Sequence, residues 1–116
     1  MRTLLILNDP PYGTERSYNG LRLAGALARR AGEEVRVFLM GDAVGCAMAG
    51  QKVAAGYYRI DHMLETAAKH GAAVACCGTC LEARGIRDEH LSGAARRSTL
   101  DELAEWTLWA DKVITF

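Results

Sequence analysis

Short apolar runs alternate with amphipathic stretches from one end of the chain to the other. The apolar runs predict five buried strands, at Leu4–Leu7, Val35–Leu39, Ala72–Cys76, Ala94–Arg97 and Val113–Phe116. Continuous apolar strands separated by helices are typical of a parallel sheet that is covered on both faces. The sequence therefore predicts an α/β fold with a five-stranded parallel sheet, organised as a single domain over residues 1–116.

Helical periodicity is clearest between the second and third predicted strands. From about Tyr58 to Lys69, apolar residues recur at the spacing that places them on one helical face: Ile60, Met63, Leu64, Ala67 and Ala68. Gly71 follows as a stop signal. This segment is predicted to be an amphipathic helix that packs on the sheet.

Two further helices begin at recognisable capping residues. Thr14 can cap a helix that runs to about Ala31, and Ser98 with Asp101 resembles a capping box for a helix ending at Trp109. Shorter helical segments are predicted at Gly41–Ala49, Cys77–Arg84 and Asp88–Leu91. Every predicted strand is thus followed by at least one helical segment, except the last.

Composition and charge argue against several classes of function. The chain has 14 basic and 14 acidic residues, so it lacks the excess positive charge on which general nucleic-acid binding depends. The adjacent pair Arg96 and Arg97 is interpreted as a solvated turn. Leu4–Leu7 is too short to span a membrane or to form the core of a signal peptide. We expect a cytoplasmic protein with no membrane or direct nucleic-acid partner.

The loops lack the common cofactor and hydrolase motifs. No P-loop string and no Gly-x-Ser-x-Gly elbow occurs, and the first strand is followed by Asn-Asp-Pro-Pro-Tyr-Gly instead of a dinucleotide fingerprint. The sequence implies no organic cofactor.

The four cysteines carry the candidate chemistry. Cys76, Cys77 and Cys80 lie within five residues at the end of the third predicted strand, and Cys46 follows the second. The carboxyl ends of parallel strands meet at one edge of a sheet, where ligands bind. Cysteines clustered in this way favour thiol or metal chemistry over a disulfide scaffold.

Cys77 is the strongest candidate nucleophile. A thiol at a helix start faces free backbone N–H groups, which stabilise the reactive thiolate. Cys80, about one turn on, is placed to resolve a persulfide or to act as a second acceptor. Cys76 should point to the opposite side of the sheet. Cys46 is interpreted as an auxiliary thiol.

Three other interpretations of the cysteines stay open. Any of them can be an inert buried residue. A thioredoxin-like oxidoreductase also uses Cys-x-x-Cys at a helix start, although the chain has no proline after Pro11 to lie beside such a pair. A zinc site needs four ligands, and His62, His70 and His90 have no ligand spacing with the cysteines. No metal site is predicted.

Several segments together resemble the DsrE/DsrF-like family. They are Asn8–Gly13, Leu39–Val44, Gly50–Lys52, Gly56–Tyr58, Cys77–Gly85 and Ala110–Phe116. The resemblance implies a three-layer α/β/α sandwich with a five-stranded parallel sheet. In sulfur-relay members a persulfide-bearing cysteine follows the third strand, with glycine eight residues later, as at Cys77 and Gly85.

The loop after the first strand has two interpretations. Pro10 and Pro11 can simply stiffen a turn in which Asp9 bonds neighbouring amides. Alternatively, Asn8, Asp9 and Tyr12 lie on the rim beside Cys77 and bind substrate together with Gly78 and Thr79.

Two functions from different classes follow. The first is a sulfur carrier, a possible sulfurtransferase, that holds a persulfide on Cys77 and exchanges sulfur with donor and acceptor proteins. The second is a non-catalytic homo-oligomer that binds a small ligand or serves as a scaffold. The resemblance also implies a homotrimer or homohexamer. Trp106 and Trp109 support assembly, because one helical face does not easily bury both tryptophans.

Overall fold

Five parallel strands form one sheet in the computed structural model, which describes residues 1–116. The strands are β1 (Arg2–Leu7), β2 (Glu34–Leu39), β3 (Ala73–Cys77), β4 (Ala95–Ser98) and β5 (Lys112–Thr115). Their spatial order is β4-β3-β2-β1-β5, and all four neighbouring pairs are parallel. The predicted five-stranded parallel sheet is confirmed, with each strand within two residues of its predicted bounds.

Four α-helices and two 3-10 helices connect the strands. The α-helices are α1 (Arg16–Ala28), α2 (Ile60–Lys69), α3 (Gly78–Ala83) and α4 (Leu100–Trp109). The 3-10 helices are Gly41–Ala47, after β2, and Asp88–His90, before β4. None of these helices has the length and apolar composition needed to cross a membrane.

The helices lie on both faces of the sheet, as the three-layer prediction requires. Gly20 brings α1 against Leu7 so closely that a Cβ there would clash with the leucine side chain. Trp106 of α4 packs edge-on against Phe38, with ring centroids 5.9 Å apart. Phe38 pairs with Ile6, the neighbour of Leu7, so α4 and α1 contact opposite faces.

Two predicted capping residues are wrong by one position. The Thr14 hydroxyl donates to Asp9 at 2.8 Å and accepts from the Arg16 amide at 3.4 Å, but the N-cap of α1 is Glu15, one residue later. Ser98 belongs to β4, so α4 is capped one residue later by Thr99. The amphipathic helix predicted from about Tyr58 to Lys69 is found as α2, which begins at Ile60 while Tyr58 stacks on Tyr18 at 4.1 Å. At Ser98 the pairing with Cys77 outweighs the local preference, whereas Thr14 is held by Asp9 of its own loop.

The two tryptophans of α4 have different surroundings. Trp106 is buried, whereas Trp109 is only partly buried and is covered by the guanidinium of Arg36, 3.8 Å from the ring centroid. Leu108, between them in the helix, is 88 % exposed. One helical face therefore does not bury both tryptophans, as the sequence predicts.

Candidate functional site

Cys77 lies at the junction of β3 and α3. It is the last residue of the strand, where it pairs with Ser98, and it is also the N-cap of the helix. Alternation along the strand turns Cys77 to the face that Phe38 and Ala75 share, and turns Cys76 to the other face. The predicted opposite orientation of the two neighbouring cysteines follows from this register.

Cys77 and Cys80 form a disulfide across the first turn of α3, with Cα atoms 5.2 Å apart. The Cys80 amide donates to Cys77 Sγ at 3.2 Å, and the Thr79 hydroxyl lies 3.3 Å from the same sulfur. Because α3 has only six residues, these neighbouring donors, and not a long helix dipole, polarise Cys77. The sequence spacing of Cys77 and Cys80 therefore does bring their sulfurs close enough to bond, as predicted.

A third element supplies a donor to the other sulfur. The backbone amide of Gly41 donates to Cys80 Sγ at 3.3 Å. Gly41 has φ +53°, which side-chain-bearing residues rarely adopt, so glycine is what aims this amide at the sulfur. Each sulfur of the pair thus has at least one hydrogen-bond donor.

A cavity of about 450 Å³ opens beside the two sulfurs. It lies where β2, β3 and β4 end, and most of its surface is apolar. The lining residues are Phe38, Met40, Cys77, Gly78, Thr79, Cys80, Glu82, Arg97, Ser98, Thr99 and Leu100. Four predicted site residues, Cys77, Gly78, Thr79 and Cys80, are therefore brought together.

Arg97, the one cation in this lining, is paired with neighbouring carboxylates and carbonyls. It donates to Asp88 at 2.8 Å and to the carbonyl of Gly78 at 3.1 Å, and it lies 3.6 Å from Glu82. The interpretation of Arg96 and Arg97 as a solvated turn is wrong, because both belong to β4, and Arg97 also braces the loop that carries Cys77. The cavity consequently offers no free positive charge to an anion.

Gly78 fits this position because of its missing side chain. A Cβ at Gly78 would lie 2.8 Å from the backbone oxygen of Ser98, inside any normal contact distance. The close approach of β4 to the start of α3 keeps the cysteine turn fixed against the sheet.

The other two cysteines lie outside the cavity lining. Cys46 is completely buried in the 3-10 helix Gly41–Ala47, with its sulfur 4.0 Å from the carbonyl oxygen of Asp9. Cys76 is also completely buried. Burial raises the pKa of each thiol to about 12, so almost none of either is thiolate at neutral pH. Cys46 presents no accessible auxiliary thiol in this state.

The proposed rim residues Asn8, Asp9 and Tyr12 do not line the Cys77 cavity. Asn8 donates to the carbonyl of Phe116 at 3.2 Å and, with Asp9, lines a separate recess. The Tyr12 hydroxyl donates to Gln51 at 2.5 Å and accepts from the Ile60 amide at 3.1 Å. These contacts support the interpretation of this loop as a structural turn.

Tyr12 belongs to a polar network that the sequence did not reveal. Gln51 accepts from both Tyr12 and the backbone of Asp61, a buried residue whose carboxylate also accepts from Arg59. Burial alone would raise the pKa of Asp61, but hydrogen bonds from Arg59, Gln51 and His62 lower it below its ordinary value. The network anchors the segment before α2 and leaves no free reactive group.

A larger groove, of about 520 Å³, lies between α1 and α2. Its lining includes Arg22, Arg29, Tyr57, Tyr58 and His62 but no cysteine. It contains no nucleophile comparable to Cys77, and no three His, Cys, Asp or Glu residues anywhere in the chain are grouped to hold a metal ion. The cysteine cavity is therefore the candidate functional site.

Comparison with known proteins agrees with this architecture. The sequence matches the DsrE/DsrF-like family over residues 1–116. The chain belongs to this family. Protein YchN of Escherichia coli (strain K12) is 43 % identical over 116 residues, which cover 99 % of this chain and 98 % of YchN. Protein MJ0989 of Methanocaldococcus jannaschii is 34 % identical, with 100 % of both chains covered.

Solved structures of DsrE-like proteins share the fold. The crystal structure of YchN from E. coli superposes with a TM-score of 0.91 at 44 % identity, covering 100 % of both chains. MTH1491 from Methanobacterium thermoautotrophicum gives a TM-score of 0.76 at 12 % identity, covering 99 % of this chain and 98 % of that one, which shows the fold alone.

One wall of the cysteine cavity in this family member is held by Glu102. Its carboxylate accepts from the guanidinium of Arg96 at 2.6 and 2.7 Å and from the hydroxyl of Ser98. These bonds tie α4 to β4, the strand beside Cys77. Hydrogen bonds from Arg96 and then Ser98 lower the pKa of Glu102 from 4.5 to about 2.

We expect Glu102→Gln to destabilise the protein by about 2 kcal/mol at pH 7. A lowered folded-state pKa gives stability that is present above the unfolded value of about 4.5 and is lost as the pH falls towards 2. Urea unfolding between pH 7 and pH 3 measures this. The difference between wild type and variant should shrink with acidity; a constant difference would contradict the assignment.

Proposed function

We infer that this DsrE-family chain is a sulfur-relay protein in which Cys77 accepts sulfane sulfur as a persulfide. The observation that carries the inference is the arrangement around Cys77: its sulfur faces a cavity, has two local hydrogen-bond donors and lies beside a second thiol position. Family membership supports a sulfur-relay role.

The loading step is an ordinary thiol exchange. The Cys77 thiolate attacks the outer sulfur of a donor persulfide, R–S–SH. The S–S bond of the donor breaks, R–S⁻ leaves with the bonding electron pair, and the transferred sulfur keeps its proton. Cys77 then carries Sγ–SH, ready for attack by an acceptor thiolate.

The partners of this relay are donor and acceptor proteins of the cytoplasm. The cavity fits the transfer of a neutral sulfur atom, since its only cation, Arg97, is neutralised by Asp88 and Glu82. A persulfide-bearing cysteine of a partner would enter along the apolar wall of Phe38, Met40 and Leu100. Neither a nucleic acid nor a membrane is required.

Loading is tested on the reduced Cys80→Ser variant, which cannot close the disulfide. We expect incubation with N-acetylcysteine persulfide to add the mass of one sulfur atom to the peptide that contains Cys77. Intact-mass and peptide mass spectrometry measure this. Absence of any sulfur gain would favour the alternative, a non-catalytic ligand-binding or scaffold protein.

We also propose that the chain assembles into a homotrimer or homohexamer. Leu108 of α4 is 88 % exposed, and Val113 of the edge strand β5 is 44 % exposed. Apolar side chains on one element and an adjoining sheet edge are typical of interfaces. Light scattering at micromolar concentration should give three or six times the chain mass of 12.6 kDa. A monomer mass would contradict the proposal.

A further inference from the structure

The backbone holds Cys77 and Cys80 at a distance that suits a disulfide. The Cα separation of 5.2 Å lies within the usual range for a disulfide, and both cysteines are held at one end of α3. A pure carrier needs only one thiol. The second cysteine is therefore placed to react with whatever Cys77 carries.

Cys80 also has its own activating contacts. The Gly41 amide donates to its sulfur at 3.3 Å, which would stabilise a Cys80 thiolate once the disulfide is reduced. Arg84 holds the two segments of this contact together, because its guanidinium donates to the Cys80 carbonyl at 3.0 Å and to Asp42 at 2.8 Å. Asp42 directly follows Gly41 in the chain.

We propose that the chain has a further activity, the reduction of a persulfide to sulfide. This activity rests on the proposed loading of Cys77. When no acceptor takes the sulfur, the Cys80 thiolate attacks Cys77 Sγ, the inner sulfur of the persulfide. The bond to the outer sulfur breaks, and HS⁻ leaves with the electron pair. The two thiols are oxidised to the observed disulfide, and one sulfane sulfur is reduced to sulfide.

The site favours attack on the inner sulfur over further transfer. Cys80 is in bonding position for Cys77 Sγ itself, whereas the outer sulfur would extend into the cavity. Hydrosulfide is a better leaving group than an alkyl thiolate because H₂S is the stronger acid. Arg97 is neutralised by Asp88 and Glu82, so the cavity does not retain the departing anion. A dithiol or two monothiols then reduce the disulfide for the next cycle.

The experiment is a single turnover of reduced, desalted full-length protein with one equivalent of N-acetylcysteine persulfide. We expect the wild type to release about one equivalent of sulfide and to end as the Cys77–Cys80 disulfide. Bimane trapping measures sulfide, and intact mass measures the oxidation. Cys80→Ser should release at least about a hundredfold less sulfide and should retain the added sulfur. Cys46→Ala, which leaves both site cysteines, should behave as the wild type.

The outcomes separate this activity from the loading reaction. If Cys80→Ser gains sulfur but the wild type also retains its persulfide and releases no sulfide, the reductase activity is wrong and the carrier stands. If no form gains sulfur or releases sulfide, both proposals fail. Cys80→Ala, checked for a native circular-dichroism spectrum, repeats the test with a smaller side chain and should match Cys80→Ser.

Discussion

Replacing Cys77 by serine should abolish sulfur loading, with a loss of at least about a hundredfold. The change is isosteric, so the fold should be retained, but a serine hydroxyl is not ionised at neutral pH and does not attack a persulfide. The donors that favour a Cys77 thiolate, the Cys80 amide and the Thr79 hydroxyl, cannot compensate for that difference. Loading is measured by intact mass in the Cys80→Ser background, where the sulfur is not released.

The matched control for this variant is Cys46→Ala in the same background. It removes a thiol that is buried and lies outside the cavity lining, so loading should equal that of the parent. Normal loading of Cys77→Ser would show that another residue carries the sulfur. The same loss in both variants would point to a general structural effect.

The second large effect concerns selectivity among the thiols. In the reduced native protein, Cys77 should react with iodoacetamide at least about a thousandfold faster than Cys46 or Cys76. Burial raises the pKa of Cys46 and of Cys76 from 9.0 to about 12, which lowers their thiolate fraction at neutral pH by about three powers of ten. Both are also completely inaccessible, which slows them further.

Peptide mapping after timed alkylation measures the three rates. Denaturant provides the control, because all four cysteines should then label at similar rates. Cys76 is the informative comparison, since it differs from Cys77 in which face of the sheet it contacts. Labelling of Cys76 at the rate of Cys77 in the native state would contradict the geometry on which the relay depends.

The sequence alone predicts the parts of the site that depend on local spacing. Period-two alternation in β3 separates Cys76 from Cys77, and a three-residue step along one helical turn brings Cys80 back to Cys77. The strands are likewise predictable because each is an apolar run between helical signals. Family resemblance adds the arrangement in three layers.

The sequence does not predict the hydrogen bonds between residues that are far apart along the chain and belong to no motif. Arg97 is far from Gly78 along the chain, and nothing about a pair of adjacent arginines indicates that one braces a carbonyl. Of the two interpretations of the loop after the first strand, the one that places Tyr12 on the rim beside Cys77 relies only on the edge of the sheet at which this loop lies. In the structure the Tyr12 hydroxyl instead bonds Gln51 and the backbone amide of Ile60. These contacts depend on the path of the segment before α2, which local sequence does not specify.

The donors that approach the two sulfurs include two main-chain amides, from Gly41 and Cys80. Main-chain groups are present whatever the side chain, so only proline at either position would delete a donor outright. The apolar wall residues Phe38, Met40 and Leu100 can therefore be substituted, which changes the partners that the cavity accepts, without altering these two amides. Recognition and reactivity are separately adjustable in this fold.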